Sequence, residues 1–294
     1  MERHTRSYLR LIKPGITISN TMSGIAGFFL AVTVVGASLL SPAIWGVFGA
    51  AMGGIALVIA SACVVNNILD REMDAKMKRT LKRGIVDGSI TIPKAVVFAV
   101  ILGGIGFALL FFWTNLLTFW LGVLAYVWYV VIYGYTKRTT VLSTVIGGVA
   151  GSLPPVAGYT ALTGALDPAA IVLFAILYFW QLPHFYAISM WRKDDYAKAG
   201  VPVWAVRYGL KSTKRQIFIS VVLYALSAPL LTIFGYTGII YLVISTGLSV
   251  YWLYKGVTLY KKVDDIKWSK VMFGISLLVL MAMCALIAVG GFLP

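Results

Sequence analysis

Asn66, Asp70 and Asp74 recur at four-residue intervals in the stretch Asn66-Asn67-Ile68-Leu69-Asp70-Arg71-Glu72-Met73-Asp74. At 3.6 residues per turn, the three fall within an arc of about 80° and span about 12 Å along a helix axis. Three oxygen-bearing side chains then point into one crevice. Oxygen ligands on one helix face suit Mg²⁺, which takes one or two carboxylates, waters and phosphate oxygens. A second acidic pair, Asp194-Asp195, is the candidate for a facing wall. Two acidic walls with metal between them make a clamp for a diphosphate leaving group. Arg79, Arg83, Lys137, Arg138, Arg192 and Lys193 are the candidates to neutralise its remaining charge. A lone pair of aspartates four apart also suits simple ion pairing with Arg71 or Lys78 at a helix end. The alignment of Asn66 with both, and the second acidic cluster, favour the metal reading.

The elements that must position these residues are membrane helices. The chain has 294 residues, of which 60% are hydrophobic and only 12% charged, against about a quarter charged in an ordinary soluble domain. Its mean hydropathy is +0.89. Apolar runs of about 20 residues, the length that crosses a bilayer core, recur from end to end. Backbone groups in lipid must be satisfied internally, so such runs mean helices. The pattern predicts an all-α integral membrane protein with nine spans, about 16–37, 43–66, 94–113, 116–136, 141–162, 169–190, 217–234, 238–256 and 271–291. The first is too long for a signal-peptide core of about 7–15 residues. We expect one membrane domain over 1–294, with a faint repeat of four-helix units (about 16–136 and 141–256) and a ninth helix.

Charge orients this array. The loops after spans 1, 3, 5 and 7 hold no Lys or Arg, and all 25 lie at the N-terminus, in the other loops or at their edges. The positive-inside rule therefore predicts a cytoplasmic N-terminus in a cell membrane. The formal charge of +15 follows from that topology and does not point to nucleic acid. Most carboxylates lie on the same side, Asp167 being the exception, although acidic residues contribute little to topology. Their placement suggests a cytoplasmic-face active site. Cys63 and Cys284 lie in separate apolar runs and form no zinc or disulfide pattern.

With these residues in view, Asn66-x3-Asp70-x3-Asp74 followed by Met77-x-Arg79-Thr80-x2-Arg83-x4-Gly88 resembles the first motif of the UbiA superfamily of membrane prenyltransferases. Trp180-Gln181-Leu182-Pro183-His184-Phe185, running on to Asp194-Asp195-Tyr196 and Gly200-Val201-Pro202, is similar to the second motif of its haem-directed branch. Lys13-Pro14, Tyr133-x3-Lys137 and Gly151-x2-Pro154-Pro155-x2-Gly158-Tyr159 support the resemblance, which covers nearly the whole chain. It implies nine helices around a central cavity, and transfer of farnesyl from farnesyl diphosphate to a vinyl group of haem B with addition of water. It further implies that Asn66, Asp70, Asp74, Asp194 and Asp195 hold Mg²⁺ and diphosphate. Arg79, Arg83, Tyr133, Lys137, His184 and Lys193 would bind substrate. Haem A synthase or terminal oxidase assembly are the protein partners it suggests. Two departures stand out. Asn67 stands where much of the superfamily has Asp, removing one carboxylate from the clamp. Gly84 replaces a Pro usual in the haem branch, a change expected to loosen the loop.

His184 is a candidate to contact haem, against the plainer reading of a histidine satisfied by backbone or Trp180. Eleven residues separate it from Asp195, so on an unbroken helix the two share a face. Tyr126, Trp128, Tyr129 and Tyr133 fit core packing better than a substrate chamber. Pro154-Pro155 should kink or interrupt span 5 and widen a cavity. Competing functions are prenylation of an aromatic quinone precursor, CDP-alcohol phosphotransfer (whose tighter DGxxAR-type sequence is missing) and transport. Transport predicts polar groups near mid-bilayer, whereas these carboxylates cluster at one end.

Overall fold

The computed structural model describes residues 2–294, with side chains from Ser7 onward. Every regular element among them is helical: α1 (Glu2–Leu11), α2 (Pro14–Val34), α3 (Pro42–Leu69), α4 (Arg71–Asp74), α5 (Ile92–Trp113), α6 (Leu116–Val127), a π-helical turn (Trp128–Tyr133), α7 (Gly134–Thr139), α8 (Ser143–Thr163), α9 (Pro168–Trp191), α10 (Lys193–Lys198), α11 (Trp204–Ser227), α12 (Leu230–Ile233), α13 (Ile239–Leu259) and α14 (Asp265–Gly290). Helix starts follow local chemistry. Proline occupies the first turn of α2, α3, α5 and α9, where its missing N–H costs no hydrogen bond. Asn115, Asp167 and Asp264 cap α6, α9 and α14 by accepting from Thr118, Ala170 and Lys267 backbone N–H groups at 2.9, 3.1 and 2.8 Å.

Helices α2, α8, α9 and α14 pack in a closed cycle, each against the next. Helices α3, α5 and α6 join one side of it, and α11 and α13 the other. The α2–α8 crossing is glycine-mediated. A methyl group on Gly27 would collide with the Pro155 carbonyl, and one on Gly158 with the Gly24 carbonyl. Small residues of this kind let membrane helices approach backbone to backbone. Pro154 and Pro155 therefore do not interrupt α8, which runs through both. The expected break is replaced by a tight seam, because a neighbouring helix lies against the proline turn.

Eight helical segments among the described residues are long and apolar enough to cross a membrane. The span expected at 238–256 is α13, whose 21 residues reach far enough. Ser245, Ser249, Tyr251, Trp252, Tyr254 and Lys255 dilute its apolar character, and it is not among the eight. Span 7 starts earlier than the 217 expected, at Trp204. Gly209, at φ 77, bends this segment at a backbone conformation that glycine adopts freely. Charged Lys214 stays inside the helix end because Asp265 pairs with it at 2.5 Å. The Tyr260 and Trp268 rings also flank its ammonium at 4.4 and 4.9 Å.

Candidate active site

The last turn of α3 and the short α4 continue one helical path. The Asp70 N–H donates to Asn66 O at 2.9 Å and the Asp74 N–H to Asp70 O at 2.7 Å. This keeps the three polar side chains on one face, as their spacing predicts. All are enclosed: Asn66 is 2%, Asp70 4% and Asp74 1% exposed.

Their partners arrive from three distant segments. Lys137, on α7, donates to Asp70 Oδ2 at 2.5 Å, and Arg138 to Asp70 Oδ1 at 3.0 Å. Arg138 also binds the Leu69 carbonyl at 2.6 Å. Arg83, from the loop after α4, pairs with Asp74 Oδ2. Thr80 donates to the Asp74 carbonyl at 2.6 Å and holds that loop in place. Lys13, at the α1–α2 corner, donates to Asn66 Oδ1 at 2.9 Å. Its backbone is left-handed (φ 48, ψ 70), a strain of about 1–3 kcal/mol that persists where surrounding structure enforces it.

The π-helical turn sits directly before α7, which carries Lys137. Such turns add a residue and re-aim the side chains beyond them, and they recur at functional sites. Here Tyr129 and Tyr133 stack, with centroids 5.6 Å apart, and the Lys137 ammonium lies 5.4 Å from the Tyr133 ring centroid. Trp128 anchors the turn by donating to Ile146 O at 2.7 Å.

Asn67 takes no part in the crevice. Its Nδ2 donates to Leu11 O at 2.7 Å inside the protein, a bond that a carboxylate could not make. The departure from Asp therefore ties α1 to α3. Gly84 does not loosen its loop either. Its carbonyl accepts from Ile90 N–H at 2.8 Å, and a Cβ would come 2.9 Å from the buried Ile90 side chain.

The second acidic pair is placed differently. The chain breaks at Arg192 (φ −101, ψ 13) between α9 and α10, so His184 and Asp195 do not lie on one unbroken helix. Asp194 is exposed, Lys193 partly so, and Asp195 faces Arg192 at 3.6 Å. Pro183 leaves α9 continuous. The contact between the two motif regions is the Arg79 guanidinium, 5.7 Å from the Tyr196 ring centroid. His184 turns towards α14. Its ring lies between Trp180 and Phe273, with centroids 5.2 and 4.7 Å away, and Nδ1 is 2.8 Å from Ser276 Oγ. Ser276 Oγ is also 2.6 Å from Phe273 O and donates to it. The hydroxyl proton being spent there, His184 Nδ1 carries the proton of the shared bond.

Charge in the first motif is unbalanced. Asp70 and Asp74 pair with Arg83, Lys137 and Arg138, and a fourth cation, Lys13, stands on the neighbouring Asn66. Burial pushes the Asp74 carboxyl above its usual range, with Arg83 opposing the shift. Burial likewise lowers the Lys13 ammonium to about 8. Among the described residues, no three His, Cys, Asp or Glu side chains stand close enough to hold a metal ion by themselves. The donor set nevertheless fits Mg²⁺ carried on a diphosphate, which needs only one or two carboxylates from the protein. Each carboxylate oxygen has two acceptor positions, so the basic partners do not exhaust Asp70 or Asp74. Sequence reasoning noted Lys13 only through its neighbour Pro14 and missed its place here.

Known proteins resemble this chain in sequence and in fold. A protoheme IX farnesyltransferase of Citrobacter koseri is 40% identical over 290 residues, covering 98% of this chain and 96% of that protein. A solved structure of a digeranylgeranylglyceryl phosphate synthase superposes with a TM-score of 0.78 at 21% identity, covering 99% of each chain. A UbiA homolog from Archaeoglobus fulgidus, bound to GPP and Mg²⁺, gives 0.66 at 18% identity, covering 96% of this chain and 99% of that one. The profile of the UbiA prenyltransferase family matches residues 23–289, and the chain belongs to that family.

Proposed function

We propose that the protein transfers the farnesyl group of farnesyl diphosphate to a vinyl group of haem B, with addition of water, to give haem O and diphosphate. The observation that carries this reading is the 40% identity, over nearly the whole chain, to a protoheme IX farnesyltransferase. The cation-rich first motif supports the diphosphate half of it.

Asp70, Asp74, Asp194 and Asp195 would hold Mg²⁺, which supplies positive charge at the departing diphosphate. Arg79, Arg83, Lys137 and Lys193 complete the cationic surround. As the allylic C–O bond breaks, its electron pair goes to the diphosphate oxygen, and fixed positive groups stabilise that charge without covalent work. The vinyl carbon attacks the allylic cation. Water captures the cation left on the porphyrin side chain and loses a proton, leaving a hydroxyethylfarnesyl arm. A water-poor chamber would protect the first cation from water. His184, with Nδ1 held by Ser276, would contact the porphyrin through Nε2.

In this reading all nine long helices span, α13 included, and the N-terminus and active site face the cytoplasm of a cell membrane. The loop distribution of Lys and Arg supports that orientation. Haem A synthase or terminal oxidase assembly would receive the product.

Purified protein supplied with haem B, farnesyl diphosphate and Mg²⁺ should yield haem O by mass spectrometry, and chelation of the metal should abolish it. Prenylation of an aromatic quinone precursor without conversion of haem B would overturn the haem assignment and leave the prenyltransferase one intact.

A further inference from the structure

Near the start of α11, the buried Lys214 is balanced by Asp265 at 2.5 Å. Its ammonium also donates to the Tyr260 carbonyl at 3.2 Å, and the Tyr260 and Trp268 rings flank it. Trp268 is tied in turn to α13, its indole N–H donating to Gly256 O at 2.9 Å. Phe218 packs against both rings, with centroids 5.9 and 5.8 Å away. An ion pair thus fixes an aromatic floor where α11, α13 and α14 meet.

Two clefts share that floor, since Phe218 and Tyr260 line both. The larger, about 710 Å³, is also lined by Tyr208, Lys211, Ser212 and Arg215 of α11. The smaller, about 440 Å³, is lined by Thr258, Lys261 and Lys262 at the end of α13. Lys211 and Arg215 are four residues apart and share one helix face. Ser212 Oγ accepts from the Trp204 indole at 2.9 Å, which leaves its own proton to donate. All four basic side chains are exposed, and none pairs with a carboxylate among the described residues. The carboxylates that follow Lys262 are engaged elsewhere, Asp265 by Lys214 and Asp264 by the Lys267 N–H that it caps. Four unmatched cations around two clefts call for an anion.

The surface beyond the clefts identifies which anion. Ile219 lines the larger cleft, and exposed Ile219, Val222 and Leu226 follow Arg215 at helical spacing along α11. Val257 lines the smaller one, and exposed Val257, Tyr254 and Val250 run back along α13. From Arg215 to Leu226 the strip extends about 16 Å, about half of a 30 Å hydrocarbon core. A cationic cleft opening onto an apolar strip one leaflet deep matches a phosphate head with acyl chains. A free phosphate would use the cleft alone. Helices α11 and α13 lie across the bundle from α3, so this site is separate from the diphosphate crevice.

We propose that the clefts between α11 and α13 bind an anionic phospholipid. Lys211, Arg215, Lys261 and Lys262 meet its phosphate, and its acyl chains lie along the two helices. Basic pockets between membrane helices take up such headgroups.

Native mass spectrometry of the detergent-solubilised full chain, titrated with phosphatidylglycerol or phosphatidylcholine, tests this. The wild type should hold phosphatidylglycerol at least about tenfold more tightly. Lys211→Gln/Arg215→Gln/Lys261→Gln/Lys262→Gln should lose that preference. Lys76→Gln/Lys78→Gln/Lys82→Gln/Lys94→Gln removes equal charge from exposed lysines outside the clefts and should keep it. The smaller change Lys211→Gln/Arg215→Gln should weaken phosphatidylglycerol by about threefold or more. Phosphatidylglycerol should also raise the melting temperature of the wild type and leave that of the fourfold cleft variant unmoved. Equal affinity of the wild type for the two lipids would overturn the site. So would an undiminished preference in the cleft variants, or an equal loss in the control, which would mean general surface charge. Displacement of the lipid by equimolar glycerol 3-phosphate would make the clefts a free-phosphate site and overturn the lipid assignment.

Discussion

Asp70 and Asp74 lie beyond the end of α3, and Asp194 and Asp195 lie beyond the end of α9, four spans later. In the first cluster the carboxylates are 4% and 1% exposed and carry basic partners from two separate segments, α7 and the loop after α4. In the second, Asp194 is open to solvent and Asp195 has a loose local pair at 3.6 Å. The first cluster is therefore part of the protein's interior, preorganised before substrate arrives. The second sits on a short helix after a backbone break. Preorganised charge stabilises developing charge without reorganisation, whereas a part-exposed pair at 3.6 Å contributes little to stability. Equivalent acidic letters in the sequence thus do unequal physical jobs.

The sharpest way to break that contrast is Asp70→Asn. The neutral amide leaves Lys137 enclosed without its counter-charge, since Lys137 is itself 5% exposed. Removing one partner of a buried pair costs about 3–5 kcal/mol. A loss of about 10²–10³-fold in turnover is expected on top, the scale for deleting one electrostatic contact to the reacting centre. Thermal melting and haem O formation measured on the same preparation check both halves. Unchanged turnover would remove Asp70 from the catalytic site.

Asp194→Asn and Asp195→Asn should give the opposite pairing of effects. Activity should fall by about tenfold to a hundredfold, corresponding to about 1.4–2.7 kcal/mol of lost transition-state stabilisation. Stability should shift by less than about 0.5 kcal/mol, as for surface substitutions generally. A melting point as depressed as that of Asp70→Asn would show that the second cluster is also structural, and the contrast would fail.

The first cluster was the more legible of the two in sequence, because helix periodicity fixes which of Asn66, Asp70 and Asp74 share a face. Its partners were legible by residue type only. Lys13 lies 53 positions from Asn66, and nothing in a Lys-Pro pair announces a left-handed corner. The π-turn before Lys137 was hidden for a related reason: an extra residue in a helical turn leaves no mark in an apolar run. Around the second cluster, reasoning along one helix failed at Arg192, where the chain turns. Pro154-Pro155 read as a kink or an interruption, and α8 is not interrupted; the sequence cannot show that Gly27 and Gly158 bring α2 against α8. Apolar length was readable throughout. Contacts between helices distant in sequence were not.

The smallest expected effect concerns the link between the clusters. Arg79 belongs to the loop after α4 and Tyr196 to α10, and the guanidinium lies 5.7 Å from the ring centroid. A cation over an aromatic face at a partly exposed site is worth about 0.5–1 kcal/mol. Tyr196→Leu keeps an apolar side chain and removes that attraction. The KM for farnesyl diphosphate should rise by about twofold to fivefold at nearly constant kcat, because the contact orders the two walls without touching the reacting carbon. Arg79→Ala should cost more than Tyr196→Leu, since the guanidinium also serves the phosphates in the proposed reaction. The double variant should cost no more than Arg79→Ala alone if the ring acts through the guanidinium. Additive losses would mean that each residue meets the substrate separately, and that α10 is held by something other than this contact.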